Sequence, residues 1–202
     1  MSSRLSRPHQ PPPRERILQA ARELFYRDGI RAVGVEAIAA AAGTNKMTLY
    51  RHFASKDALV AEYLHQLAAE GERVWDEARA AHPGEAEAQL RMLLRRVSQF
   101  ADEFGERGCA LANAAVELAG RAHPARRIIE AHKRRSGERL VALCREAGYE
   151  KPERLADEIF LLVEGARSCL QSVGPQGPGA RLYALAERLL DTAPKRRKLK
   201  SA

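Results

Sequence analysis

Residues 45–56 concentrate side chains that suit contact with a nucleic acid. At helical spacing, Leu49 and Phe53 point to one side and pack inward. The other side of the same helix carries two cations, a thioether and a phenol, namely Lys46, Arg51, Met47 and Tyr50. Lysine and arginine neutralise phosphates or bond to guanine, methionine can meet a thymine methyl group, and a tyrosine hydroxyl can reach a phosphate. This face therefore fits the major groove of DNA, with Thr48 and His52 on its flanks.

The segment before this helix has the pattern of a short helix followed by a tight turn. Its apolar residues recur at helical spacing: Val35, Ile38, Ala39 and Ala42. Gly43 is predicted to end it, because glycine takes the left-handed conformation without steric cost. Thr44 or Asn45 can then cap the next helix through a side-chain oxygen. Residues 34–53 are thus predicted to form a helix-turn-helix; the alternative is a helical pair whose outer face is only solvated.

Two further helices are predicted to complete a small core around this motif. The first covers residues 14–28 and is stopped by Gly29. Its inner stripe consists of Ile17, Ala20, Ala21, Leu24 and Phe25. The other helix is capped by Ser55 and runs to about residue 80. Its stripe begins with Leu59, Tyr63, Leu64 and Leu67.

The remaining sequence also has helical patterns and few β-branched runs, which favours an all-α fold of about nine helices. The five later helices are predicted at residues 85–104, 107–115, 125–147, 153–173 and 180–190. We divide the chain into a Pro-rich basic arm (1–13), a DNA-binding head (14–60), a body (61–191) and a basic tail (192–202). The cationic run at 132–135 is interpreted as a solvated helix face.

The net charge of +8 is distributed unevenly along the chain. Residues 1–60 carry +5, residues 194–202 carry five bases and no acid, and the segment between them is slightly acidic. A positive field therefore coincides with the helix predicted to enter the groove, as expected of a DNA-binding protein.

The body offers residues for a ligand and for a second copy of the chain. The ligand candidates are one tryptophan, two phenylalanines and two polar residues within an apolar helix: Trp75, Phe100, Phe104, Asn113 and Glu117. In the helix at 153–173, the segment Ile159–Val163 is apolar nearly all round, so it must be covered by its own core and by a partner. With the last helix it is predicted to form a four-helix bundle between two copies. The predicted dimer residues are Ile159, Val163, Ala166, Leu170, Leu182, Leu185 and Leu189.

The order of residues in the head resembles the N-terminal domain of the tetracycline-repressor (TetR) family of bacterial regulators. The resemblance runs from about residue 14 to 60, and its most specific part is the LY-x-HF-x-SK run at 49–56. It implies an all-helical homodimer with a three-helix DNA-binding head and a ligand-sensing body. The residues that it implies would line DNA are Asn45, Lys46, Met47, Thr48, Tyr50, Arg51 and His52, with Lys56 on a phosphate.

The sequence departs from this family pattern at three positions. Gly34 replaces the usual Ser or Thr before the second helix, Ala37 replaces a common acid, and Thr44 replaces a small apolar residue. Glycine is a tolerable helix cap but has no hydroxyl. The departures leave the fold intact and put the phosphate contact expected at the start of the second helix in doubt.

Two functions follow from these patterns. The first is a homodimeric transcriptional regulator, a repressor released from a palindromic operator by a small molecule. The alternative is a ligand-binding or protein-interaction protein that keeps the family head without reading DNA.

No cofactor or metal site is expected, and no catalytic motif indicates an enzyme. Three dispersed cysteines, buried as small apolar residues, and no signal peptide or membrane span favour the bacterial cytoplasm, on the nucleoid.

Overall fold

A computed structural model of the chain describes residues 10–99, 107–118, 120 and 123–196. These residues contain nine α-helices, one short 3-10 helix and no strand beyond a single antiparallel bridge between Tyr149 and Lys195. The all-α fold class predicted from the sequence is confirmed. The chain forms two compact units, Met1–Tyr63 and Leu64–Ala202.

The first unit holds helices α1 (Pro13–Asp28), α2 (Val35–Ala41), α3 (Lys46–His52) and the beginning of α4 (Lys56–Ala81). Helices α1, α2 and α3 contact one another. Their inner faces supply the fully buried Ile17, Ile38 and Leu49. The ring of Phe25 lies 5.5 Å from that of Tyr63 at an angle of 55°, a tilted arrangement that aromatic pairs favour. A core of this kind fixes α3 against the other helices.

The second unit holds the rest of α4 and five more helices. They are α5 (Ala86–Ser98), α6 (Ala110–Glu117), α7 (Pro124–Glu146), α8 (Pro152–Val173) and α9 (Leu182–Thr192), with a 3-10 helix at Pro178–Arg181. Its main core is built from α5, α7, α8 and α9 around Leu90, Cys144, Tyr149, Ile159 and Leu190. The predicted fifth helix extended to residue 104, whereas α5 ends at Ser98 and residues 100–106 lie outside the described part.

The cationic middle of α7 is solvated only in part, because Arg134 and Arg135 are exposed whereas His132 and Lys133 are partly buried. The Lys133 ammonium lies 2.6 Å from a Glu164 carboxylate oxygen on α8. A Glu72 oxygen on α4 is 2.7 Å from the Arg139 guanidinium. His132 is largely buried, and burial, followed by the charge of Lys133, lowers its pKa. These contacts tie α7 to α4 and α8.

The start of the basic tail is attached to the body. The Glu150 N–H donates to the Pro194 carbonyl at 2.9 Å, and the Arg196 N–H donates to the Gly148 carbonyl at 2.8 Å. The Lys195 ammonium pairs with Glu87 and lies 5.1 Å from the ring centroid of Tyr149. Residues 197–202 of the predicted tail and residues 1–9 of the predicted arm lie outside the described part.

The three cysteines differ in exposure, so the expectation that all are buried is wrong for two of them. Cys144 is fully buried, whereas Cys109 and Cys169 are half-buried. Burial raises the pKa of Cys144 to about 12, and the thiolate is the reactive form.

We expect a thiol reagent at pH 8 to modify Cys109 and Cys169 in the native protein, and Cys144 only after denaturant is added. Peptide mass spectrometry checks this order; native labelling of Cys144 at the rate of the other two would contradict it.

Candidate DNA-binding surface

The turn between α2 and α3 is set by Gly43 and Asn45. Gly43 has a φ of +60°, in the left-handed region, which favours glycine because it has no Cβ. The Thr44 N–H then donates back to the Ala39 carbonyl at 2.9 Å. Of the two caps that the sequence allowed, Asn45 is the one used, since its Oδ1 accepts from the Thr48 N–H at 2.9 Å. This cap occupies Oδ1 of Asn45; that Asn45 also lines DNA stays a prediction.

Helix α3 has an inner and an outer face. Leu49 is 0% exposed and Phe53, which follows the helix, is 5% exposed, so both belong to the core of the first unit. Met47 is 84% exposed and Tyr50 is 43% exposed. Lys46, Arg51 and His52 are also exposed, while Thr48 is half-buried. The helix thus presents a thioether, a phenol and basic side chains to the outside; that they bind DNA stays a prediction.

Lys56 opens α4 and is half-buried. The helix is capped as predicted, because the Ser55 hydroxyl accepts from the Ala58 N–H at 3.0 Å. Arg14 has partners within the first unit. Its guanidinium lies 2.8 Å from the Glu62 carboxylate and 5.2 Å from the ring centroid of Phe53. That Lys56 binds a phosphate stays a prediction.

Lys46 forms an ion pair with Glu36, a residue that the sequence did not indicate as part of this surface. Its ammonium lies 2.6 Å from a Glu36 carboxylate oxygen, with both side chains more than half exposed. The hydrogen bond from Lys46 and then that from its own backbone N–H lower the pKa of Glu36, and the same pairing raises the pKa of Lys46. The Lys46 ammonium also lies 6.0 Å from the ring centroid of Tyr50. Since Glu36 and Lys46 sit on different helices, helical periodicity gives no signal for this pair.

Gly34 is the residue preceding α2, with extended backbone and no side-chain cap. The hydroxyl that the family pattern places there is therefore missing, as the sequence indicated. A Cβ at Gly34 would lie 3.5 Å from a Glu36 carboxylate oxygen, which is an ordinary contact distance.

The candidate ligand residues of the body have different surroundings. Trp75 is half-buried against both core clusters of the second unit, with the Arg139 guanidinium 5.9 Å from its ring centroid. Asn113 donates to the Arg107 carbonyl at 2.7 Å and accepts from Gln171 at 3.3 Å, so its polar atoms have protein partners. Glu117 is half-buried on α6. The remaining two candidates, Phe100 and Phe104, lie outside the described residues.

A surface groove of about 640 Å³ lies elsewhere in the second unit. Its charged lining comes from the start of α5, the end of α7 and the segment after α9: Glu85, Glu87, Arg91, Glu146, Lys195 and Arg196. None of the candidate ligand residues lines this groove. Over the part of the chain that is described, no cluster of potential metal ligands is found, and no helix is long and apolar enough to cross a membrane.

The predicted dimer residues need a correction at three positions. Ile159, Leu170 and Leu182 are buried within the chain itself. Val163, Ala166 and Leu189 are half-buried, and Leu185 is 41% exposed. The outward line of α8 is instead formed by Leu161, Gly165, Ser168 and Ser172. Because only the segment Ile159–Val163 is apolar nearly all round, and both of its sides are apolar, the sequence did not indicate which side of α8 faces its own core.

Comparisons with known proteins give the same assignment as the head geometry. Residues 17–63 match the family model described as "Bacterial regulatory proteins, tetR family". The regulator UidR of Escherichia coli K12 is 45% identical over 49 residues, and an uncharacterised HTH-type regulator of Mycobacterium tuberculosis, Rv1255c, is 44% identical over 52. These two matches span only 25% and 26% of the relatives' own lengths.

Two solved structures are similar over nearly the whole chain. SCO4454, a TetR-family transcriptional regulator from Streptomyces coelicolor, is 30% identical with a TM-score of 0.84, over 90% of this chain and 95% of that one. A putative tetR-transcriptional regulator from Streptomyces avermitilis is 28% identical with a TM-score of 0.75, over 92% and 100%. The family resemblance inferred from the sequence is confirmed. With its helix-turn-helix head and its similarity to SCO4454 along almost its full length, the chain belongs to the TetR family of DNA-binding transcriptional regulators.

Proposed function

We propose that the protein is a homodimeric repressor that leaves a palindromic operator when its body binds a small molecule. The observation that supports this most directly is the outer face of α3, where Met47 and Tyr50 are exposed beside Lys46 and Arg51. Cations can bind the phosphates on either side of the major groove, and the apolar and aromatic side chains between them can contact the bases. Membership of a regulator family makes the chain a regulator rather than an enzyme. We place it in the bacterial cytoplasm, on the nucleoid.

We assign the contacts with DNA by side-chain chemistry. We assign Arg51 to a guanine edge and Met47 to a thymine methyl group. Lys46, Lys56 and the Tyr50 hydroxyl are assigned to phosphates. Asn45, through its Nδ2, Thr48 and His52 are assigned to contacts with DNA on either side of these residues. Under this assignment the phosphate contacts set orientation, and the base contacts set sequence.

The dimer is proposed to form through the outward faces of α8 and α9. Leu161 is 70% exposed and Leu185 is 41% exposed, so both leucines are available to pack against a second copy of the chain. Gly165, Ser168 and Ser172 continue the line from Leu161 and are small, so that a second helix could approach closely. Two α8–α9 pairs would form a four-helix bundle across a two-fold axis.

Two-fold symmetry leads to the proposed operator and to its release. Two α3 helices would enter successive major grooves, with half-sites one helical turn apart, roughly 34–36 Å, or a multiple of it. Helix α4 is continuous from Lys56 to Ala81, so it belongs to both units. A ligand bound in the body would favour a head separation that no longer matches the half-sites, by as much as its affinity differs between the two states. Trp75, Asn113 and Glu117, with Phe100 and Phe104, remain the proposed ligand residues.

Replacing Arg51 by Ala tests the proposed reading of bases. We expect preference at one base pair of each half-site to relax by ~1–3 kcal/mol, because a bidentate contact with guanine is lost. Binding of wild type and variant to a panel of single-base operator variants measures this. Lys56→Ala is the matched control and should weaken binding uniformly across the panel. A uniform loss for Arg51→Ala as well would mean that Arg51 contacts only phosphate.

The ligand response needs a separate experiment. The dimer bound to a fluorescent operator duplex would be titrated with a panel of small metabolites, and release would be followed by anisotropy. We expect a compound that releases wild-type protein to be at least about tenfold less effective on Trp75→Ala, if Trp75 lines the site. Release from both proteins at the same concentration would remove Trp75 from the ligand site.

A further inference from the structure

The ion pair between Glu36 and Lys46 sets a basic residue of the proposed DNA surface against an acid of the same chain. The 2.6 Å separation is that of a charge-assisted hydrogen bond. Glu36 lies in the first turn of α2, and Lys46 is the first residue of α3. The beginnings of the two helices of the motif are thus linked by one ion pair with exposed side chains.

The position of the carboxylate is defined by more than the lysine. Glu36 also accepts from its own backbone N–H, which contributes to the lowering of its pKa. Its second oxygen extends toward Gly34, where an added Cβ would lie 3.5 Å away. The carboxylate therefore lies between the residue preceding α2 and the start of α3, on the side where Lys46 would meet DNA.

Both partners remain accessible to a competing ion. The side chains of Lys46 and Glu36 are 54% and 66% exposed, so solvent and salt screen their attraction. A phosphate can therefore replace Glu36 as the partner of Lys46. The displaced carboxylate would then repel that phosphate, because both groups are negatively charged.

Resting on the proposed function, we propose that Glu36 is an internal competitor of DNA for Lys46. It lowers the affinity of the head for any duplex, since binding to phosphates supplies nearly all of the non-specific affinity. Because Lys46 is assigned to a phosphate, which every duplex offers, Glu36 thereby limits the retention of the head on unrelated DNA.

The test compares Glu36→Gln with a matched neutralisation. Glu62→Gln removes one negative charge from the same head, at the ion pair with Arg14, which lies 2.8 Å away. We expect Glu36→Gln to bind an unrelated duplex about 3- to 10-fold more tightly for each head at low salt, with a steeper salt dependence. Affinity for a selected operator should rise by a similar factor, because Lys46 is assigned to a phosphate there as well. Glu62→Gln should change both affinities by less than about twofold.

The Lys46→Gln background shows whether the effect acts through the lysine. There, the gain from Glu36→Gln should fall to the level of Glu62→Gln. An unchanged gain would overturn the competition, because it would reflect general repulsion alone. Weaker operator binding by Glu36→Gln would also overturn it, since the carboxylate would then accept from a cytosine amino group. Wild-type protein that shows no salt-dependent DNA binding would overturn the proposed function together with this inference.

Discussion

Phe25→Ala is expected to unfold the DNA-binding head and abolish binding to DNA. Phe25 is 3% exposed in α1, and its ring lies 5.5 Å from that of Tyr63. Truncating a buried phenylalanine costs ~3–5 kcal/mol, from lost transfer energy and from the cavity left behind. Small domains have a net stability of similar size. The remaining helices of the first unit would then no longer hold α3 in place.

The measurement is thermal unfolding followed by circular dichroism, together with binding to a labelled duplex. We expect a separate low-temperature transition in the variant, because the second unit keeps its own core. Met47→Ala is the control: Met47 is 84% exposed, so that variant should lose affinity for DNA without losing stability. Full stability of Phe25→Ala would contradict the core described for the head.

Leu161→Glu is expected to separate the proposed dimer. Leu161 is 70% exposed on the outward line of α8, and two-fold symmetry would bring two such positions into one interface. A carboxylate buried there without a partner costs several kcal/mol, so the dimer dissociation constant should rise at least about 100-fold. Affinity for the operator should fall with it, because a monomer engages only one half-site.

Analytical ultracentrifugation over a range of concentrations measures the assembly. The matched control is Met47→Glu, which places the same charge at another exposed apolar residue, in the head. That variant should remain dimeric and lose DNA binding, whereas Leu161→Glu should keep its helical content and lose the dimer. A dimer of unchanged strength in Leu161→Glu would move the interface away from this face of α8.

Local features of the chain were predictable from sequence because they depend on neighbouring residues. The left-handed turn at Gly43 after α2, the cap at Ser55 and the inward Leu49 all follow from turn chemistry and helical spacing. The sequence left Thr44 and Asn45 as alternative caps, since both side chains carry an oxygen; the geometry of the turn selects Asn45.

Contacts between elements were not predictable in the same way. The pair of Glu36 with Lys46 joins residues ten apart on separate helices, so its formation depends on the angle of the turn. Periodicity also did not orient α8, where Ile159 is inside and Leu161 is outside although both are apolar. Packing against α7 and α9 decides which apolar side of α8 faces the core. The sequence of α8 alone does not show where these neighbours lie.

The most direct test of the account is to let wild-type protein select from a pool of random duplexes at physiological salt. The exposed face of α3 predicts that one sequence is enriched, as an inverted repeat with half-sites one helical turn or a multiple of it apart. A pool that stays random after repeated rounds, or an enriched sequence without two-fold symmetry, would contradict it.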